Sequence, residues 1–505
     1  MPQYFNAGDW LVIVAYLIGI IALGVWFGKD QHNTRDYFLG SKNIPWWGVG
    51  LSIVATETSA LTFIGVPAMA YGADALTFIQ IVIGYVIARI ILAVVMVPHY
   101  FKGEIYSPYQ LFAQAFGPAA RRTVAGFFLI AGTLAAGVRV YVTCIPLQLM
   151  LGLHDSQMIW AILLFVVLSL AYTYVGGVKA VIWTDAVQFL LFMAGGVFTL
   201  FYIPTLLEGG WSAALAKAGE AGKLHWFNGT FSLHKPFNIW MGLIGATVLV
   251  MSSHGADQLI AQRVLTCRNV SEGRKSLVLS AVIIFPLFLI FLLTGVMLWV
   301  FYQSHPLGLP IPEVRLGISK NDYIFPIFIL TEVPHVLKGF LIVAILSAAM
   351  SSVSSALSAL ASVSTMDFVK PLLRGVRSEQ FYLRFSKNST LVWAVLLIGV
   401  AYLTQQVESV LNAAFSLSGL TAGAMLGGLI LSLWWKKGRA LPVIAGMLTS
   451  LAVMVFLSRF EWMEGTGAAA AKFKIHWPWF TLIGTVVTLA TAWLISLFSA
   501  RPGGR

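Results

Sequence analysis

Apolar runs of about twenty residues recur along this chain from Trp10 to Phe498, with short polar turns between them. At 1.5 Å of rise per residue, about twenty helical residues cross the roughly 30 Å of hydrocarbon in a bilayer. So many runs of that length have no place in the core of a soluble domain, and the pattern specifies an all-α polytopic membrane protein. Only 10% of the residues are charged, against roughly 25% in a soluble domain. Hydrophobic residues make up 58% and the mean hydropathy is +0.84. A β-barrel, whose strands alternate apolar and polar residues, and a disordered chain do not fit. Cys144 lies in an apolar run and Cys267 in a polar loop, so neither a disulfide framework nor a CxxC metal site is available.

The runs place membrane segments at 10–28, 48–70, 75–97, 123–150, 158–174, 181–203, 239–259, 277–302, 334–364, 388–404, 408–435, 440–458 and 477–499, thirteen in all. An odd number puts the termini on opposite sides. Of the 32 Lys and Arg, 21 fall in the loops after odd-numbered segments and in the tail, including Arg121, Arg122, Arg263, Arg268, Arg374 and Lys436. The opposite side holds nine, among them Lys217, Arg315 and Lys472, eight in three long loops where the bias counts less and Lys338 at the outer start of the ninth segment. Arg89 and Arg139 fall inside segments. This distribution predicts a plasma (inner) membrane protein with its N-terminus outside and its C-terminus in the cytoplasm. The net charge of +12 therefore implies no nucleic-acid partner, and no obligatory protein partner is inferred. The first segment lacks a basic flank before it and is followed by Lys29, so it reads as a retained anchor and not as a cleaved signal.

Two segments are interrupted by polar residues. The second reads Ser52-Ile53-Val54-Ala55-Thr56-Glu57-Thr58-Ser59-Ala60-Leu61-Thr62, with Gly65 and Pro67 behind it. The seventh ends Met251-Ser252-Ser253-His254-Gly255-Ala256-Asp257-Gln258. Backbone carbonyls freed at mid-membrane are tolerated only where protein or a cavity satisfies them. Broken helices at matching places in two halves point to inverted repeats around a shared site. For the second break, a kink followed by a loop boundary is the plainer alternative. The ninth segment carries Ser347, Ser351, Ser352, Ser354, Ser355, Ser358, Ser362 and Ser364. Hydroxyls at that spacing serve close helix packing; beside freed carbonyls they also suit a weakly polarising monovalent cation such as sodium.

Four motifs carry a resemblance: Asp36-Tyr37-Phe38-Leu39-Gly40 with Pro45-Trp46-Trp47; Gly176-Gly177 with Val181-Ile182-Trp183-Thr184-Asp185 and Gln188; Asp257-Gln258 with Gln262-Arg263; and Ser351-Ser352 ending in Thr365-Met366-Asp367. With these in order, the chain resembles the sodium:solute symporter family, which includes sodium-coupled sugar, proline, sialic acid and monocarboxylate transporters. The resemblance implies a LeuT-type fold with two inverted five-helix repeats, at 48–203 and 239–435. An N-terminal helix and cytoplasmic loop (1–47), an extracellular loop (204–238) and two C-terminal helices with a tail (436–505) complete the organisation. It implies a sodium site from Ala55 and Thr58 in the broken segment and Ala348, Ser351 and Ser352 in the ninth. Asp185, with Ser355, would contribute to a second sodium site or to the exit path, although Asp185 also fits a structural carboxylate at a helix start.

Glu57 sits where proline transporters carry an aspartate and sugar transporters an amide. A mid-membrane carboxylate costs about 2.5 to 3.5 kcal/mol unless paired or solvated, so a cation, a solute donor or Arg139 is expected beside it. Arg139 is too deep to snorkel freely and wants an anionic partner, either a solute carboxylate or a structural ion pair. Sialic acid transporters use an arginine about one turn earlier, where this chain has Ala135. Ser59, Thr62, Gln80 and His254 complete the candidate solute site, and Phe63 and Tyr141 are candidate gates. Arg89, nearer a membrane surface, is expected to snorkel or to pair structurally.

No phosphate-binding glycine loop and no HExxH zinc motif are present. The expectation is a non-enzymatic, sodium-coupled symporter of a small polar solute, first an amino acid or carboxylate and second a sugar, needing no organic cofactor. Proton coupling through Glu57 or Asp185 is the rival.

Overall fold

The serine-rich helix, Leu337–Val363, forms the centre of the bundle and is buried along almost its whole length. Only a helix surrounded by other helices can dispense with a lipid-facing stripe, and its many Ser and Ala side chains let neighbours approach closely. In the computed structural model the described residues are all but 1–3, 30, 151–152, 155–156, 236, 310–319, 374–375, 405–409, 436–438, 461, 465–470 and 499–505. Arg315, Arg374, Lys436, the tail arginines and the start of the expected 408–435 segment lie outside them.

Eight described helices are long and apolar enough to cross a membrane: Ala7–Phe27, Pro118–Tyr141, Met158–Thr205, Val270–Tyr302, Leu337–Leu372, Glu379–Thr404, Ala440–Arg459 and Pro478–Phe498. The bent pair Trp46–Glu57 and Thr62–Tyr71 makes nine if taken as one span. Shorter apolar helices occupy Ile79–Val95, Met241–Gly255 and Gly419–Trp434. By length and composition these make eight or nine spans against the thirteen expected segments, with 158–174 and 181–203 counted together across a kink at Gly177. Met158–Thr205 is two helices joined at a kink: at Gly177, φ 54 and ψ −156, the backbone leaves helical geometry at the turn expected near Gly176-Gly177, and Tyr37 Oη donates to the Thr173 and Tyr174 carbonyls just before it. The Gly177 conformation is open only to glycine.

Elsewhere small residues set the packing. Gly84 meets the Gly242 carbonyl, and Gly423 meets the backbone of Gly484, so these helix pairs touch backbone to backbone. The Gly419, Gly423 and Gly427 stripe is a contact with Pro478–Phe498. Among the described residues the only strands are the short antiparallel pair Trp462–Glu464 and Ala471–Phe473; the rest of the regular structure is helical.

Candidate cation and solute site

The first break falls at Thr58 and Ser59, both extended, between Trp46–Glu57 and Ala60–Tyr71, and the axes bend by 59°. Ser59 begins the second half through a capping box with Thr62. In an unbroken helix the Ser59 amide would donate to the Ala55 carbonyl. Here it donates to Thr62 Oγ1 at 3.3 Å, and Ser351 Oγ donates to the Ala55 carbonyl instead, at 2.6 Å. The Thr62 amide likewise donates to Ser59 rather than to Thr58. Ser352 Oγ donates to the Ala348 carbonyl at 3.2 Å, and Thr58 Oγ1 to Val54 at 2.8 Å. One carbonyl released by the break, that of Ala55, therefore meets a hydroxyl of the serine-rich helix, that of Ser351. Neutral oxygens of this kind have the chemistry that a sodium ion requires.

One turn further along lies a denser cluster. Asp185 is fully buried, and its Oδ2 accepts from Ser52 Oγ at 2.6 Å, Arg263 Nη2 at 3.0 Å and Thr56 Oγ1 at 3.4 Å. Arg263 Nε also donates to Ser52 Oγ at 2.9 Å, and its Nη2 reaches Ser355 Oγ, which lies 3.2 Å from Thr56 Oγ1. Oδ1 of Asp185 is buried with no hydrogen-bond partner among the described residues. The sequence places Arg263 in a cytoplasmic loop and in the Gln262-Arg263 motif, with no ion-pair partner expected for it. In the structure Arg263 lies on the short helix Gln258–Val264 that follows the second break, where Asp257 caps the helix by accepting from the Leu259 amide at 2.8 Å. The signal in the sequence was its position directly behind that break. At the break itself the Gly255 carbonyl accepts from Tyr100 Oη.

Glu57, the last residue before the first break, pairs through Oε2 with Arg89 on Ile79–Val95. His254 Nε2 lies 3.7 Å from the same oxygen, too far for a hydrogen bond, while its Nδ1 meets Ser253 Oγ at 2.9 Å. Arg139, one of the three partners expected for Glu57, makes no ion pair or hydrogen bond among the described residues; the acidic groups whose field reaches it are Asp257 and Glu57. Arg89 is fully buried and does not snorkel, because its helix packs that face against the break. Gln80 is not brought to the site. Its amide donates to the Phe237 carbonyl at 2.9 Å and accepts from the Asn228 amide at 3.0 Å, which ties it to the loop before Met241–Gly255. Phe63 is buried in an aromatic cluster, stacked on Phe325 at 5.0 Å and edge-on to Phe192 at 5.5 Å, and Tyr141 is also buried.

Helix breaks among apolar spans, with the released Ala55 carbonyl meeting a hydroxyl of the serine-rich helix, are an arrangement found in membrane transporters. Residues 37–450 match the model of the sodium:solute symporter family. The chain belongs to that family and is a multi-pass membrane transporter. The sodium/sialic acid symporter SiaT of Proteus mirabilis is 29% identical over 471 residues, covering 90% of each chain. The human sodium/iodide cotransporter is 27% identical, covering 90% of this chain and 70% of that one. A solved Na+-coupled sialic acid symporter, in a substrate-bound outward-open state, superposes with a TM-score of 0.85 at 26% identity, covering 98% of both chains.

Proposed function

We propose that this sodium-coupled symporter imports a hydroxylated carboxylate of the sialic acid type, within the broader class of amino acids and carboxylates. Its carboxylate would meet Arg139, and its hydroxyls Ser59, Thr62 and Glu57. The observation that carries this reading is the contrast among the membrane-embedded arginines. Arg89 is paired with Glu57 and Arg263 with Asp185, but Arg139 has no partner among the described residues. An unpaired guanidinium at that depth is costly unless an anion or water supplies its counter-charge. The likeness to sialic acid and iodide transporters, both of which carry anions, supports the same reading.

Sodium would bind Ala55, Thr58, Ala348, Ser351 and Ser352, hold the two halves of the site together and complete the solute site, after which both are exposed inward by alternating access. Asp185 and Ser355 would form a second ion site or the exit path. Gly177 would divide Met158–Thr205 into two crossings. With the short apolar helices this gives thirteen crossings, two inverted five-helix repeats at 48–203 and 239–435, an outer N-terminus and a cytoplasmic C-terminus. One sodium moving through 100 mV releases about 2.3 kcal/mol, and a tenfold gradient adds about 1.4 kcal/mol, enough for accumulation of several hundredfold.

The test is uptake of labelled N-acetylneuraminate, lactate, proline and glucose into proteoliposomes, under a sodium or a potassium gradient. Sodium-driven uptake of N-acetylneuraminate, lost in Arg139→Gln, is expected. Uptake of glucose alone would overturn the carboxylate assignment. Uptake unchanged in potassium and driven by a pH gradient would make Glu57 or Asp185 a proton site.

A further inference from the structure

Helix Ala7–Phe27 lies outside both proposed repeats, yet it sends a hydroxyl towards the Asp185 cluster. Gln188 stands one turn beyond Asp185 on Met158–Thr205, so the two side chains share a face. Gln188 is buried, and its Nε2 donates to Tyr16 Oη at 3.1 Å. That hydroxyl lies 4.0 Å from Met350 Sδ on the serine-rich helix, with Ser347 beside it. The helices are in close contact here. A Cβ at Gly24 would run into Tyr172, whose own hydroxyl donates to the Met350 carbonyl at 3.2 Å and lies beside Gln188 and Asp185.

The Gln188 amide is satisfied at one end only. Its Oε1 is buried with no hydrogen-bond partner among the described residues, and so is Oδ1 of Asp185. Packing alone does not account for two bare acceptors one turn apart, because a leucine would fill the place of Gln188 without stranding an oxygen. An amide oxygen and a carboxylate oxygen, neither of them offered a proton by the protein, are ligands that a hard monovalent cation takes. We infer that Gln188 is a ligand of the second ion site and that Tyr16 is its positioning residue: by accepting from Nε2, Tyr16 fixes the amide so that its oxygen faces the sodium ion held by Asp185. The inference rests on the reading that Asp185 serves a second ion. It adds an amide ligand to that site and gives the N-terminal helix a part in ion binding.

The test is thermal stabilisation of the purified protein by sodium chloride against choline chloride, with no solute present. The parent is Ser351→Ala, which weakens the main site and leaves the second to dominate the sodium response. On that parent, Tyr16→Phe keeps the ring and removes only the acceptor, and Gln188→Leu removes the amide. Each should raise the sodium concentration for half-maximal stabilisation about tenfold, while the sodium-free midpoint stays near that of the parent. With both changes the rise should be no larger than with Gln188→Leu alone, since Tyr16 acts only through Gln188. If Gln188→Leu does not fold, Gln188→Met, which keeps the side chain's length without the amide, takes its place. A sodium response unchanged in either variant overturns the inference, whether or not the sodium-free midpoint falls, and so does a double variant in which the two effects add. A wild type that responds beside a Ser351→Ala parent that does not would remove the second site, and this inference with it, while the symporter reading stands. No sodium response in the wild type overturns both.

Discussion

Ser351 donates its hydroxyl to the carbonyl of Ala55 at 2.6 Å, joining the buried serine-rich helix to the break in the second apolar segment. The bond exists because the break withdraws the Ser59 amide from that carbonyl and gives it to Thr62. If this oxygen pair holds sodium, Ser351→Ala should raise the sodium concentration for half-maximal uptake about tenfold, equivalent to about 1.4 kcal/mol. Ser362→Ala, on the same helix but beside Gln258 at 3.2 Å, should leave it unchanged. Sodium titration of uptake at saturating solute checks both.

Gly177→Ala should destabilise the fold by about 1 to 3 kcal/mol. A Cβ there would lie 2.5 Å from the Tyr37 carbonyl oxygen, and the backbone stays at φ 54. The thermal midpoint in detergent should fall, whereas Gly126→Ala, where a Cβ meets nothing within 4 Å, should leave it near wild type.

Arg263→Met should leave the buried Asp185 carboxylate without its cation, at a cost of about 3 to 5 kcal/mol. The double variant Asp185→Asn/Arg263→Met removes both charges and should recover most of the lost stability. Midpoints of the three proteins measured side by side decide it; equal losses in the single and double variants would show that the stranded Asp185 charge is not the cause.

His476 lies just ahead of the last helix, with Nδ1 buried and unpartnered among the described residues. Burial pushes its imidazole down from 6.5 to about 4. The unfolded chain therefore binds a proton before the folded one does, and stability present above pH 6.5 is lost as pH falls towards 4, by roughly 3 kcal/mol at most. His476→Phe should flatten that part of the stability profile, read as thermal midpoint between pH 7.5 and 4.5.

Both breaks were legible in the sequence because their local chemistry is one-dimensional. Ser59 with Thr62 forms a capping box within four residues, and Asp257 caps the helix it begins. The serine ladder was visible as a helical period. The number of spans was less legible: Gly176-Gly177 reads as a turn, and Gly177 does leave helical geometry there, but the two helices meet at that one kinked residue with Tyr37 packed against it, so no polar loop separates them. Gln80 read as a polar residue inside a segment, and nothing local showed that residues 228 and 237 would occupy its amide.

By itself, then, the sequence determined that the chain is a helical membrane protein, where its helices break, and which hydroxyls share a face. Those properties depend on residues within a few turns of one another, through hydropathy, periodicity and capping. Only the tertiary structure decided which charges pair. Glu57 meets Arg89 rather than Arg139, and Asp185 meets Arg263 across 78 positions. A buried charge takes whichever opposite charge the helix packing delivers within hydrogen-bond reach, and that distance is set by how helices cross, which no local pattern records.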